Sequence, residues 1–380
     1  MILQRLACAL LSAALLTGLA CSDDDNPTGG GDIDTTNARS YYLGYTPFPY
    51  DVTSQAVQYS YSRIAAETDI VAHHFDDGIP WPEALRGEAF HSNIMNDWQH
   101  RVDAAPAGHA IYLALTPISI NRDDLAPYKG ESPDMALPSP WDSYGFDHDS
   151  VKVAYTSYCR RAIDFFSPEF VAIGIEVNLL AKSDTGNLMW ADYVELHRHV
   201  YQQLKGEYPS LPIMVSFTGM DLIDGFTDAD HAVQSQAFAD VIGYTDYYGL
   251  SMHTVISAFM ADSLPPRVLD SVFSLSGKPI AICETSYPAE SFSVLGGSLQ
   301  FNGSPTKQDQ FFADLFTACD QYGCEFIINF VIRDYDALWL AMGSPDDINK
   351  LWRDTGFYDE DGNARPVLTR WLEALARTRI

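Results

Sequence analysis

Two glutamates stand where strand-like runs end. In "IAICETSYP", residues 280–288, an apolar run leads straight into Glu284, and a polar, proline-containing turn follows. "FVAIGIEVN", residues 170–178, does the same at Glu176. A carboxylate withdrawn from water is costly unless it is paired, neutralised or at work. Period-two alternation predicts Ala172, Gly174, Glu176 and Asn178 on one face of the first run, with Val171, Ile173 and Ile175 turned the other way. It predicts Ile280, Ile282 and Glu284 on one face of the second, with Ala281 and Cys283 opposite. Two carboxylates meeting at one mouth can divide labour: one gives and then takes a proton, and the other attacks or activates water. That is what cleavage of an acetal such as a glycosidic bond requires, and roughly 5 Å between them implies retention of configuration. Burial and mutual repulsion are expected to raise one of the two pKa values.

The surrounding elements must bring the two together. From Tyr41 onward, short apolar runs alternate with longer amphipathic ones, for example "DIVAHHF" with "SNIMNDWQHRVDAA" and "EFIINFVIR" with "ARPVLTRWLEALAR". Strands alternating with helices imply a parallel sheet. Eight such units predict an α/β fold, a single (β/α)8 TIM barrel over residues 41–380. An open doubly wound sheet is the rival, but no Gly-rich phosphate turn follows the first strand. In a barrel the chemistry sits at the C-terminal strand ends, where both glutamates fall.

Other residues at those ends are candidate substrate-binding groups. His73 and His74 close strand two in "VAHHFDDGIPW"; they point to opposite faces, so one of them lines the pocket. His253 ends strand six and could orient Glu284. Asn178 and Asn329 could hydrogen-bond sugar hydroxyls, and Arg333 could pair with either glutamate. Tyr45, Tyr287, Trp81, Trp141 and Trp339 are candidate platforms for sugar rings. Asp76, His253 and Asp334 could join a histidine around a metal, but the adjacent histidines lack a His-x-His spacing, so no metal or other cofactor is expected. "DEDGN", 359–363, reads as a turn rather than a calcium loop.

At these residues the chain resembles the large clan of retaining glycoside hydrolases built on (β/α)8 barrels. "AICETSYP" is similar to the nucleophile strand of the endo-β-1,4-galactanase family and its neighbours. "DYYGLSMH" resembles the clan's sixth strand, with Gly249 and Ser251 in a D-x-x-G-x-S pattern from Asp246. "TGFYDEDGNARPVLTRWLEAL" is similar to the usual ending of such domains. The resemblance implies that Glu284 is the nucleophile, Glu176 the acid/base, and a carbohydrate the substrate. One position departs: the asparagine that usually precedes the acid/base is Ile175 here. That departure keeps open an alternative, a non-catalytic glycan-binding surface lipoprotein on a degenerate barrel.

The composition bounds partners. A formal net charge of −28 argues against nucleic acid, which needs clustered Lys and Arg. A monomer is expected. Residues 1–20 read as a targeting segment: Arg5 precedes "LACALLSAALLTGLA", roughly 15 residues against the ~20 that a membrane span needs. Small residues before Cys21 resemble a bacterial lipoprotein signal, which implies a lipidated Cys21 and an extracytoplasmic protein held at the outer membrane or cell surface by its lipid anchor alone. Residues 21–40 are acidic and Gly-rich and read as a disordered tether. Cys159, Cys283, Cys319 and Cys324 remain; a short-loop disulfide between Cys319 and Cys324 competes with buried free thiols.

Overall fold

The computed structural model describes residues 37–183, 186–344 and 347–380. The targeting segment, Cys21 and nearly all of the tether lie outside the described residues. Eight parallel strands surround one axis: β1 (Tyr42–Tyr45), β2 (Ile70–Phe75), β3 (Ala110–Leu115), β4 (Phe170–Ala172), β5, β6 (Tyr248–Met252), β7 (Ile280–Thr285) and β8 (Cys324–Asn329). β5 is interrupted at Val215. Its first half, Ile213–Met214, pairs with β4, and its second, Ser216–Thr218, pairs with β6. The sheet therefore begins and ends on the same strand, and the expected (β/α)8 barrel closes.

A helix follows each strand: α1 (Ser54–Glu67), α2 (Ser92–Ala104), α3 (Asp149–Phe166), α4 (Gly186–Glu207), α5 (His231–Ile242), α6 (Val268–Phe273), α7 (Pro305–Tyr322) and α8 (Pro366–Leu375). Local chemistry sets their ends. α7 starts with the Ser304 hydroxyl accepting from Lys307 N and Pro305 in the first turn, and it stops at Gly323 with φ 73°. Ala38–Arg39, assigned to the tether by composition, instead pairs with Thr378–Arg379, and Arg39 reaches Asp69 at 2.7 Å. The folded unit thus includes Ala38 and Arg39, which precede Tyr41. Cys319 and Cys324 are free, buried thiols beside each other.

Two apolar layers share the strands. Ile70, Ala72, Tyr112, Ala114, Phe170, Ala172, Met214, Ala281, Cys283, Phe326 and Ile328 fill the barrel interior. Leu43, Val71, Leu113, Val171, Ile213, Leu250, Ile280 and Ile282 face the helices. Space inside is tight: a Cβ on Gly249 would lie 2.4 Å from Val215 O. Asp246, the first residue of the D-x-x-G-x-S pattern, anchors the sheet; it accepts from Ile213 N and Tyr201 Oη, both at 2.8 Å.

These layers correct the simple alternation. In β7 it is Ala281 and Cys283 that point inward, while Ile280 and Ile282 face the helices. Uninterrupted pleating would send Glu284 outward. A bulge intervenes: Leu250 aligns with Ile282, but the next residue, Ser251, aligns with Glu284. One extra residue re-aims the carboxylate toward the mouth, a recurrent use of bulges beside active sites. β4 departs differently. Its regular pairing stops at Ala172, and Ile175, expected outward, joins the interior cluster. Glu176 then turns out of the barrel with φ 49°.

Candidate active site

Glu176 and Glu284 meet at the C-terminal end of the barrel. One oxygen from each carboxylate and a ring nitrogen of His253 lie within 4.8 Å of one another. The left-handed backbone at Glu176 costs about 1–2 kcal/mol for a residue with a Cβ. It is held by its surroundings. Glu176 N donates to Ser216 Oγ at 2.9 Å, Val177 N donates to Ser216 O at 3.0 Å, and the short helix Asn178–Lys182 starts at once. Such over-determined strain is typical of functional positions.

Each carboxylate has its own partners. Glu176 Oε2 is 3.4 Å from Arg122 Nη2, and Oε1 accepts from Thr218 Oγ1 at 3.4 Å. Arg122 itself has φ 58° and is buried; its Nη1 is 2.9 Å from Asp76 Oδ2. Glu284 lies 3.8 Å from His253 Nε2, and His253 Nδ1 is 2.8 Å from Ser286 Oγ. The Glu284 side chain is 9% exposed and that of Glu176 19%. Burial pushes the Glu284 carboxyl up; His253 and His74 pull it down, Glu176 adds to the rise, and the net direction is up. For His74, burial opposes charge, but the neighbouring Asp76 carboxylate and the nearby Glu284 outweigh it and hold the imidazole above its ordinary value.

The histidines separate as the strand pleat requires. His74 joins the site, 4.0 Å from Asp76. His73 faces the helix layer against Phe166, with ring centroids 5.2 Å apart, and burial with Arg101 nearby pushes it down to about 3. It is a neutral core residue. Several other expected ligands are also committed elsewhere. Asn178 is fully buried, donates to Thr218 O and Gln234 Oε1, and accepts from Thr218 N, so it fixes the loop above β5. Asn329 follows the inward Ile328, is fully buried, and donates to Val331 O at 2.7 Å.

The aromatic platforms are packing. Tyr45 faces the helices, stacks on Trp371 at 5.3 Å and points its hydroxyl at Glu67. Tyr287 stacks on Phe311, and Trp81 on Trp141. Trp339 is buried with Phe48, Phe330 and Tyr335. Arg333 lies over the Tyr50 ring and donates to Glu360 O rather than to a glutamate of the site. In place of these, Trp352 meets the His253 ring edge-on at 6.3 Å. The residue missed by sequence reasoning is Arg122. Its one signal is a lone cation in the acidic stretch "NRDDLAP" of a chain with 23 basic and 51 acidic residues.

The metal set weighed and set aside in the sequence reading does not assemble among the described residues. Asp334 is gripped by both terminal nitrogens of Arg365 at 2.6 and 2.8 Å. The group that could offer ligand atoms at the barrel mouth is instead Glu176, His253 and Glu284.

No known family and no curated protein matches the chain. Solved structures do. The chain is similar to the exo-β-1,4-mannosidase Op5Man5 from Opitutaceae bacterium strain TAV5, with TM-score 0.56 and 13% identity over 92% of this chain. It spans 63% of that protein's length. It is similar to GH5_18 from Streptomyces cattleya, solved with Manβ1-4GlcNAc, with TM-score 0.59, 13% identity, and coverage of 89% of this chain and 80% of that one. It is also similar to β-glucuronidase 2 of Bacteroides uniformis, with TM-score 0.52, 10% identity, and coverage of 90% and 36%. The fold is the barrel of these glycosidases. At such identities the likeness extends to the fold alone, and the site must be argued from its own geometry.

Proposed function

We propose that the chain hydrolyses glycosidic bonds with retention of configuration. Glu284 attacks the anomeric carbon while Glu176 gives its proton to the departing oxygen. Water then cleaves the glycosyl ester on Glu284, and Glu176 takes the proton that this water loses. The observation that carries this reading is the convergence of the two carboxylates, with oxygens within 4.8 Å, at the mouth of the barrel. Retaining pairs stand about 5–5.5 Å apart and inverting pairs roughly 6.5–9.5 Å, so the spacing favours retention. His253 and His74 flank Glu284 and favour its ionised, nucleophilic form.

The charges of the site favour a neutral sugar. Arg122 is shared by Asp76 and Glu176, and Lys129 pairs with Asp77 at 2.6 Å. A substrate carboxylate would have to displace one of these partners. Screening neutral aryl glycosides and polysaccharides for released sugar tests the reading; turnover that Glu284→Ala abolishes is expected.

A second reading is carried by Ile175. It sits in the barrel interior, so the hydroxyl contact made by the clan's asparagine has no counterpart at that position. A non-catalytic glycan-binding protein would bind glycan yet release no reducing ends from any member of the panel. Surface attachment through a lipidated Cys21 belongs to either reading; Cys21→Ala should then stop lipid labelling. Among the described residues, no helix is long and apolar enough to cross a membrane.

A further inference from the structure

The ionisable groups at the barrel mouth differ in kind from the acidic clusters elsewhere among the described residues. Glu290, Asp334 and Glu360 form one such cluster, and Asp334, Asp336 and Asp354 another; both consist of carboxylates alone. Each already holds a guanidinium. Arg365 grips Asp334, and Arg353 donates to both oxygens of Asp354 at 2.6 and 2.8 Å. At the mouth, Glu176 and Glu284 are joined by a ring nitrogen of His253, with one ligand atom from each within 4.8 Å of the others. One imidazole nitrogen and two carboxylate oxygens suit Zn2+, whereas oxygen alone suits Mg2+ or Ca2+.

The geometry comes close to what such an ion needs. Glu284 Oε1 stands 3.8 Å from His253 Nε2. Two ligands of one tetrahedral Zn2+, each about 2.0–2.1 Å from the metal, are roughly 3.4 Å apart, so small side-chain rotations suffice. His253 Nδ1 is 2.8 Å from Ser286 Oγ, which holds the ring with Nε2 toward the glutamates. A hydrogen bond on the far nitrogen is the usual support of a metal-ligating imidazole.

Two further observations point to a ligand here. Ser251 shares a face of β6 with His253, pairs in register with Glu284 and is 1% exposed, yet its Oγ has no hydrogen-bond partner among the described residues. A buried hydroxyl without a partner is costly, and a water carried by an ion would give it one. Charge agrees. Asp76 and Glu176 share the Arg122 guanidinium, while Glu284 has the imidazoles of His253 and His74 beside it. Buried carboxylates in excess of their fixed cations are paired or coordinate metals.

We propose that the mouth takes one divalent transition-metal ion of the Zn2+ class, held by Glu176, His253 and Glu284, and that this ion competes with substrate. It is an inhibitor and not a cofactor. It occupies the Glu284 lone pair that would attack the anomeric carbon, and the proton that Glu176 holds as acid leaves to solvent. The competition rests on the reading of this pair as catalytic; the binding does not.

The test titrates the metal-stripped protein with Zn2+ in a calorimeter, with thermal melts verifying the fold of each variant. One Zn2+ per chain is expected, bound more tightly than Mg2+. His253→Ala and the isosteric Glu284→Gln should each weaken it by roughly tenfold or more, the least that a metal site loses when a supporting group is removed. Glu290→Gln, in an all-carboxylate cluster, should leave it unchanged. Absent binding, equal affinity for Mg2+, or binding that neither mouth substitution weakens overturns the site. Should His253→Ala fail to fold, Glu284→Gln decides alone. In turnover assays Zn2+ should raise the KM of the cleaved glycoside without lowering kcat, and EDTA should reverse the effect. Zn2+ that binds at the mouth yet leaves KM unchanged, or raises kcat, overturns the competition and leaves the hydrolase standing. If no glycoside is cleaved, the proposed function fails, and the calorimetry still decides the metal site.

Discussion

Arg122 bridges Asp76 and Glu176, at 2.9 Å and 3.4 Å, from a loop that neither carboxylate belongs to. This one buried cation ties the end of β2 to the turn after β4. Removing it leaves Asp76, whose side chain is 3% exposed, without its nearest countercharge. Breaking a buried pair from one side typically costs about 3–5 kcal/mol. Arg122→Met is expected to lose stability on that scale in urea unfolding, and Asp76→Asn in the same chain should return part of it. Its kcat should fall more than its KM rises, because Glu176 loses its anchor.

A pH profile follows from Glu284. Burial raises its carboxyl, so the acid limb of kcat/KM should lie above the ordinary glutamate range. The charges on His253 and His74 oppose that rise. His74→Ala removes one of them and should move the acid limb to higher pH. An unmoved limb would mean that His74 carries no charge in the free enzyme. The limb belongs to the coupled pair of carboxylates rather than to one residue.

The same shift has a stability consequence. A carboxyl raised in the folded state contributes stability below its unfolded pKa and loses it as pH rises through the folded value. At neutral pH, ionised Glu284 therefore destabilises the fold. Glu284→Gln should melt at a higher temperature than wild type at pH 7–8, and the gap should close as pH falls toward 4. A lower melting temperature at neutral pH would show that the histidines fully compensate the buried charge.

Ile175→Asn tests the departure from the clan. Ile175 lies in the interior with Met214 and Cys283, below the plane where Glu176 turns outward. A buried amide without partners costs roughly 1–3 kcal/mol. Loss of stability with no gain in kcat is expected. A gain would place residue 175 within reach of substrate.

How much of this was readable in the chain differs between fold and site. The eight strands and their helices follow from hydrophobic period, and the pleat of β2 correctly separates His74 from His73. The two glutamates do reach one mouth, but alternation gave that answer for the wrong reason in β7. A bulge at Cys283–Glu284 and a left-handed turn at Glu176 decide their direction, and neither leaves a periodic trace. Tyr45, Tyr287 and Trp339 misled because an aromatic ring at a strand end packs as readily as it binds. Arg122 escaped because its importance comes from a loop fold that brings residues distant in sequence together.

The central claim is that Glu284 carries a covalent sugar. Its most direct test is a 2-deoxy-2-fluoro glycoside of the cleaved sugar bearing a good leaving group, followed by peptide mass analysis. The account predicts a stable adduct on the peptide spanning 280–288, at Glu284, with none in Glu284→Ala. An adduct on Glu176, or no adduct together with a product of inverted configuration, would contradict it.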